Sequence, residues 1–211
     1  VLIEINRICS PVTTLGPGRR LGLWLQGCDI RCPSCVSKDT WETGAGQIVE
    51  TIELAELIMS MIQRDNLCGI TITGGEPTQQ SRALADLVRR VRQMGKKQID
   101  LIMFTGRTEQ EAKLICPQLI SLMDACVFGP YIAEQSCSGS LIASENQQLV
   151  FMRACSAAFK EALINASNQL QVNVAGATIT FSGIPRNEDM IAIEKILEKK
   201  GVQIGETSWS N

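Results

Sequence analysis

The sequence predicts an α/β protein built on a parallel sheet, and three observations carry that reading. Short apolar or β-branched runs alternate with stretches of helical period, each run stops at a glycine turn, and the connections have crossover length. Residues 21–26, LGLWLQ, read as a buried strand ending at Gly27, preceded by the turn Gly16-Pro17-Gly18-Arg19-Arg20. From Thr51, the expected N-cap, Ile52, Leu54, Ala55, Leu57, Ile58, Met61 and Ile62 recur at helical spacing, with Glu53 and Glu56 in the first turns. Residues 68–73, CGITIT, form a strand that stops at Gly74-Gly75, and a helix follows over about 80–94, closed by Gly95. A third strand over 99–104 ends at Thr105-Gly106, short helices over 108–115 and 118–123 are broken by Pro117, and a strand over 125–128 ends at Gly129-Pro130. Ligands of such a sheet gather at the carboxyl ends of its strands. The loop after Gly27, the turn Gly74-Gly75-Glu76-Pro77, Thr105-Gly106 and Gly129-Pro130-Tyr131 are expected to share one edge.

The pattern changes after about residue 165. Strands over 170–174 and 177–181 joined at Ala175-Gly176, a helix over 187–200 and a last short strand over 202–204 make a ββα(β) unit, with Ser182-Gly183-Ile184-Pro185 as the turn before its helix. The expected organisation is a core over 1–154 and a C-terminal extension over 155–211, a helix followed by ββα. The charged run over 194–200 reads as the solvated face of the last helix.

Composition excludes whole classes of chemistry. The chain has no histidine, which removes Ser-His-Asp and Cys-His catalysis, His-ligated zinc and imidazole acid/base work. With 20 Lys+Arg against 22 Asp+Glu and no long basic run, nothing marks a nucleic-acid or membrane partner. No apolar run approaches the roughly 18 residues of a membrane span, and residues 1–7 lack a signal-peptide layout, so a cytoplasmic location is expected. There, nine cysteines read as metal ligands, reactive thiols or small buried hydrophobes rather than as a disulfide framework.

Three of the nine, Cys28, Cys32 and Cys35, form CxxxCxxC. Three thiolates on one loop can each hold one iron of a [4Fe-4S] cluster, and with no fourth cysteine nearby one iron stays open to a small ligand. Structural zinc is the alternative, but it calls for a fourth ligand at compact spacing. The six isolated cysteines, Cys9, Cys68, Cys116, Cys126, Cys137 and Cys155, sit mostly in apolar company and read as packing residues. Cys137 stands apart in a polar loop, where a thiol could carry a hydrogen atom or simply be exposed.

On these motifs the chain resembles the radical S-adenosylmethionine (SAM) superfamily, in which CxxxCxxC binds a [4Fe-4S] cluster and a strand-ending GGEP-like turn binds the methionine amino group of SAM. It further resembles the small activating proteins of anaerobic ribonucleotide reductase and, more broadly, of glycyl-radical enzymes. The matching segments are Gly16-Pro17-Gly18-Arg19-Arg20, the cysteine loop running on to Thr40-Trp41, Thr105-Gly106, the stretch from Asp124 to Tyr131, and Ser144-Glu145-Asn146-Gln147. The likeness covers roughly residues 1–152 and departs at Phe128, where the family usually has Asp, and at Arg107, where Tyr is common; at Ser34 many superfamily members carry an aromatic, whereas the reductase activases also have a small residue there.

The resemblance implies a partial, open parallel β/α barrel with a small C-terminal ββα extension. It implies cluster ligation by Cys28, Cys32 and Cys35, and SAM contacts from Ser34, Thr73, Gly74, Gly75, Glu76, Pro77 and Thr105. Glu76 is expected to accept from an ammonium group and Thr105 to bond ribose or carboxylate, while Gly74 and Gly75 admit close backbone approach. Arg20 is read as a carboxylate or partner contact, or else as a solvated turn residue, and Trp24 as core. The implied activity is reductive cleavage of SAM to a 5′-deoxyadenosyl radical by an activase that generates a glycyl radical on a partner enzyme. A protein or peptide substrate and an electron donor such as flavodoxin or ferredoxin come with it. The alternatives are a radical SAM maturase acting on a peptide or small molecule and an iron-sulfur electron-transfer module.

Overall fold

The computed structural model describes residues 1–211 except 96–98, 138, 140, 167, 168, 177, 186, 203, 204, 206 and 208–211. In chain order the elements are β1 (Leu2–Val12), β2 (Arg20–Leu25), β3 (Gln47–Glu50), α1 (Thr51–Asp65), β4 (Gly69–Gly74), α2 (Ser81–Met94), β5 (Asp100–Thr105), α3 (Glu109–Ile115), α4 (Pro117–Leu122), β6 (Ala125–Phe128), β7 (Gln148–Phe151), α5 (Ala157–Ile164), β8 (Leu170–Ala175), β9 (Thr178–Gly183) and α6 (Asn187–Lys199).

Among the described residues the main sheet has seven strands in the order β3-β1-β2-β4-β5-β6-β7. Its centre is parallel: β2 pairs with β4, β4 with β5, and β5 with β6. The flanks are antiparallel, β1 on β2, β3 on β1 and β7 on β6, which corrects the purely parallel sheet expected from the sequence. These three strands escape notice for a physical reason. Flanking strands are only partly buried, so β3 and β7 are stretches of four residues, with only two or three apolar side chains each. The helix expected to be capped by Thr51 begins at that residue, with Glu50 as N-cap, and the Thr51 hydroxyl instead donates to Asp86 on α2. Pro117 does not merely break a helix; it occupies the first turn of α4, where its missing N–H goes unmissed.

Side-chain alternation divides the core between the two faces of the sheet. Leu21, Leu23, Leu25, Leu101, Met103, Cys126 and Phe128 point to the side covered by α1, α2 and α4, joining Leu54, Ile58, Leu84, Val88 and Leu119. Ile102, Ala125 and Val127 point the other way, to Leu141 and to Phe159 and Leu163 of α5, while Trp24 packs with Val12 and Leu15. Burial on both faces explains why the central strands read as near-continuous apolar runs. Beyond α5, β8 and β9 form an antiparallel hairpin followed by α6. The expected start of the second of these strands, residue 177, and residues 203 and 204 of the expected last strand lie outside the described residues.

Arg20 belongs to the sheet rather than to a ligand or a solvated turn. It opens β2 and is 0% exposed. Its Nε donates to Thr71 Oγ1 at 2.8 Å, and its Nη2 donates to the carbonyls of Ile70 at 3.0 Å and Asp100 at 2.9 Å. Nη1 reaches the Pro17 carbonyl at 3.3 Å. Burial pulls the guanidinium pKa down to about 10, still charged at neutral pH. Arg20 thus locks β2, β4, β5 and the 16–18 turn with one side chain. Replacing it by Met should lower the unfolding free energy by about 3 kcal/mol, since several buried acceptors lose their donor together. Urea denaturation followed by circular dichroism measures this, and an unchanged midpoint would contradict the role.

Candidate functional site

The cysteine loop is a closed, curled segment at the end of β2. Gly27 N–H donates to the Thr40 carbonyl at 2.8 Å and Cys28 N–H to the Trp41 carbonyl at 2.9 Å, so the two ends of the loop are pinned together. Gln26, 2% exposed, braces this closure by donating from Nε2 to the carbonyls of Asp39 at 3.0 Å and Glu42 at 2.8 Å. Within the loop Arg31 (φ 48) and Ser34 (φ 64) adopt the left-handed conformation. Each lies between two of the cysteines and turns the chain back on itself.

All three thiols are half-buried, and burial is the largest cause raising each pKa. Mutual repulsion adds to this, Cys28 with Cys35 and Cys32 with both. Backbone N–H groups oppose it: Ile30 and Arg31 at Cys28, Tyr131 at Cys32, and Ser37 at Cys35, the last at 3.4 Å. The Trp41 indole N–H, buried without a well-formed hydrogen bond among the described residues, also favours the Cys35 thiolate. Three crowded, half-buried thiols surrounded by N–H donors suit a polynuclear iron centre, whose positive irons relieve the repulsion. Among the described residues no three His, Cys, Asp or Glu side chains gather as ligands of one ion. Thiolates that each hold a separate iron stand farther apart than the ligands of a single zinc.

The turn after β4 presses directly on this loop. Gly74 has φ 98, and a Cβ there would lie 2.6 Å from Leu25 N. A Cβ on Gly75 would lie 2.2 Å from the Gly27 carbonyl oxygen. That proximity lets Gly75 N–H donate to Leu25 O at 2.9 Å and Glu76 N–H to Gly27 O at 2.8 Å. Glu76 is only 2% exposed. Its Oε1 accepts from Thr78 N at 2.9 Å, Thr78 Oγ1 at 2.7 Å and Thr105 Oγ1 at 2.7 Å, and its Oε2 accepts from Gly106 N at 2.8 Å. The structure therefore brings Glu76 and Thr105 together but joins them to each other: the carboxylate clamps the ends of β4 and β5. This intrachain bond stands beside the ligand contact that the sequence leads one to expect of both side chains. Pro77 is buried at the start of a short 3-10 turn, Pro77–Gln80.

Two further arms reach the cysteine loop. Gly106 sits against Ile30, and Arg107 makes an ion pair with Asp29. Gly129 N–H donates to the carbonyls of Thr105 and Arg107, while Asn146 Nδ2 and Gln147 Nε2 hold the carbonyls of Pro130 at 2.8 Å and Gly129 at 2.9 Å. The Asn-Gln segment thus positions Tyr131, whose backbone N–H faces Cys32. Phe128 is 2% exposed, in the core.

Beside Cys35 lies a cavity of about 150 Å³, bordered by Ser34, Thr73, Trp24, Phe104 and Tyr131. Ser34 and Thr73 were singled out in the sequence. Tyr131 was expected on this edge with Gly129-Pro130, whereas Phe104 was not singled out, and its position at the end of β5 is the signal that could have found it. Cys137 does not border the cavity; its thiol lies 3.7 Å from the Ile142 carbonyl. Cys126 is 0% exposed, and burial pushes the Cys116 thiol up to about 11 and that of Cys126 higher still. At pH 8 a thiol with pKa near 11 is ionised to about one part in a thousand. Iodoacetamide should therefore label Cys28, Cys32 and Cys35 of the metal-free protein well before Cys116 or Cys126, and loading with iron and sulfide should protect the first three; mass mapping reads both effects. Gly75→Ala should lower the melting temperature and the iron bound per chain together, because the added methyl meets a backbone oxygen.

Comparison with known proteins adds to this geometry. The model of the 4Fe-4S single cluster domain family matches residues 14–150. The anaerobic ribonucleoside-triphosphate reductase-activating protein of Enterobacteria phage T4 is 26% identical over 136 residues, covering 64% of this chain and 85% of that protein. Its counterpart in Escherichia coli (strain K12) is 30% identical over 127 residues, covering 56% and 79%. The pyruvate formate-lyase 1-activating enzyme of the same strain is 33% identical over 97 residues, 45% of this chain and 39% of that enzyme. Among solved structures, QueE from Escherichia coli superposes with a TM-score of 0.39 at 22% identity, covering 51% of this chain and 53% of that one, a likeness too slight to bear on function. With its cysteine loop, strand-end glycine turn and family match in agreement, the chain belongs to the 4Fe-4S single cluster domain family within the radical SAM superfamily.

Proposed function

We propose that this chain is a radical SAM activase that generates a glycyl radical on a partner enzyme. Cys28, Cys32 and Cys35 would hold the [4Fe-4S] cluster. The observation that carries the reading is the joining of the cysteine loop to the Gly74-Gly75-Glu76-Pro77 turn by the Glu76 N–H to Gly27 O bond. It sets two chemically distinct motifs on one strand-end edge. When bound, a cluster with SAM on its open iron supplies one-electron chemistry that ends in hydrogen-atom abstraction.

This chain's own residues position and shield. The N–H groups of Ile30, Arg31, Ser37 and Tyr131 stabilise thiolates, and Ile30 against Gly106 keeps water from one side of the loop. Gly74, Gly75 and Pro77 would offer backbone to the methionine end of SAM, Ser34 and Thr73 would border it from the cavity, and Glu76 with Thr105 would fix the turn that does so. Hydrogen-atom abstraction needs no acid/base side chain, in keeping with a chain that lacks histidine.

We further read β2, β4, β5 and β6 with their helices as a partial, open β/α barrel, residues 1–154 as the core and 155–211 as an extension. A small electron-transfer protein, flavodoxin or ferredoxin, would reduce the cluster. A reducing cytoplasm suits nine cysteines that form no disulfide among the described residues. No helix among those residues is long and apolar enough to cross a membrane. A maturase acting on a peptide or small molecule is the second reading, favoured by one observation: residues of the extension border the cavity beside Cys35.

The test is anaerobic reconstitution followed by SAM and a strong reductant. We expect 5′-deoxyadenosine from the wild type and none from Cys32→Ala. Co-expression with a candidate glycyl-radical enzyme should yield a persistent radical signal by electron paramagnetic resonance. SAM cleavage without that signal, under strict reduction, would turn the assignment to the maturase. An intact cluster that never cleaves SAM would overturn both.

A further inference from the structure

The family match ends at residue 150, yet the chain beyond it returns to the cysteine loop. The β8-β9 hairpin docks on the end of β1 through specific bonds. Gln171 Nε2 donates to the Pro11 carbonyl at 2.8 Å, Gln171 Oε1 accepts from Thr13 N at 2.9 Å, and Thr14 Oγ1 donates to the Ser182 carbonyl at 2.8 Å. Held there, the turn Gly183-Ile184-Pro185 borders the cavity that Ser34 and Cys35 also line. Ile184 packs against both buried groups on that face, the one containing Trp24 and the one containing Ile102 and Val127. Gly183 is required by the path: its φ is 141, and a Cβ would lie 2.1 Å from the Gln169 carbonyl oxygen.

The cavity's size and lining narrow its occupant. About 150 Å³ is half the lower end of the roughly 300–1,000 Å³ typical of whole small-molecule sites, so it suits a ring-sized part of a ligand. Trp24, Phe104 and Tyr131 offer aromatic surface to a planar group, and Thr73 stands immediately before the glycine turn. We propose that the turn 183–185 is a wall of the cofactor site, holding the nucleoside end of SAM against Trp24 and Phe104. The proposal rests on the reading of this edge as a SAM site. It makes the hairpin a working part of that site, supplied by residues outside the family match.

The test uses the full chain, anaerobically loaded with iron and sulfide, and S-adenosylhomocysteine as a non-cleavable probe. By calorimetry, Ile184→Ala should bind the probe about tenfold more weakly, the effect of removing methylenes from an apolar pocket wall. Ile184→Trp, which fills the space, should bind it more weakly still, with iron content near wild type. In the wild type the probe should slow amide hydrogen exchange at residues 182–184, a readout independent of any variant's folding. Wild-type affinity in both variants with unchanged exchange at 182–184 would overturn the wall, and leave the activase reading standing. Failure of fully loaded wild type to bind the probe at all would overturn the SAM reading itself, and this inference with it.

Discussion

Two backbone hydrogen bonds, Gly75 N–H to Leu25 O and Glu76 N–H to Gly27 O, govern the geometry of everything at the strand-end edge. They require the main chains of two loops to approach so closely that a single β-carbon on Gly75 would collide with the Gly27 oxygen. This is glycine used for contact as well as for conformation. Once the turn and the loop are joined, the Glu76 carboxylate can accept from Thr105 and Gly106, which carries the constraint across to β5. A buried carboxylate is tolerable only when its oxygens are bonded, and four donors meet that condition here.

The same logic of satisfied burial governs the charges around the sheet. Arg20 is fully buried, yet its donors meet a hydroxyl and three backbone carbonyls, so the charge organises the sheet instead of breaking it. Asp124, 5% exposed, receives Arg92 Nη2 and Leu101 N–H and fixes the start of β6. The three cysteines are the exception: their thiolates are disfavoured by burial and by one another, and backbone N–H groups, with the Trp41 indole and Lys38 at Cys35, compensate in part. Beside the bonded Glu76 carboxylate, the three thiols leave a local need for positive charge, the electrostatic condition that a metal centre would meet.

The two faces of the sheet play different parts. One is closed by α1, α2 and α4 and forms the larger apolar group, a stable platform for the strand ends. The other is lined by Trp24 and Phe104 near the cysteine loop and is covered by α5, the 141–143 segment and the turn at Ile184. The cavity beside the cysteine loop on that face is thus bordered in part by chain that follows the family match in sequence. Residues within the family match and residues beyond it border one cavity.

Much of this was legible in the sequence. Periodicity and glycine stops located the central strands and helices to within a residue or two, because burial on both faces writes itself as apolar runs. Cysteine spacing marked the loop, and strand-end placement put the four turns on one edge. The flanking strands β1, β3 and β7 were not legible, since half-exposed strands pair through backbone groups that any side chain permits. Nor were the groups that Arg20, Glu76 and Thr105 meet within the chain. A residue type announces its charge and donors but not which distant group will meet them. The sequence by itself determined the central strands, the helices and the spacing of the cysteine loop, because all of these depend on local pattern. Only the tertiary structure decided that Glu76 clamps two strands, that Asn146 and Gln147 position Tyr131, and that Ile184 reaches the cavity beside Cys35. Those relations arise from packing between segments far apart in the chain.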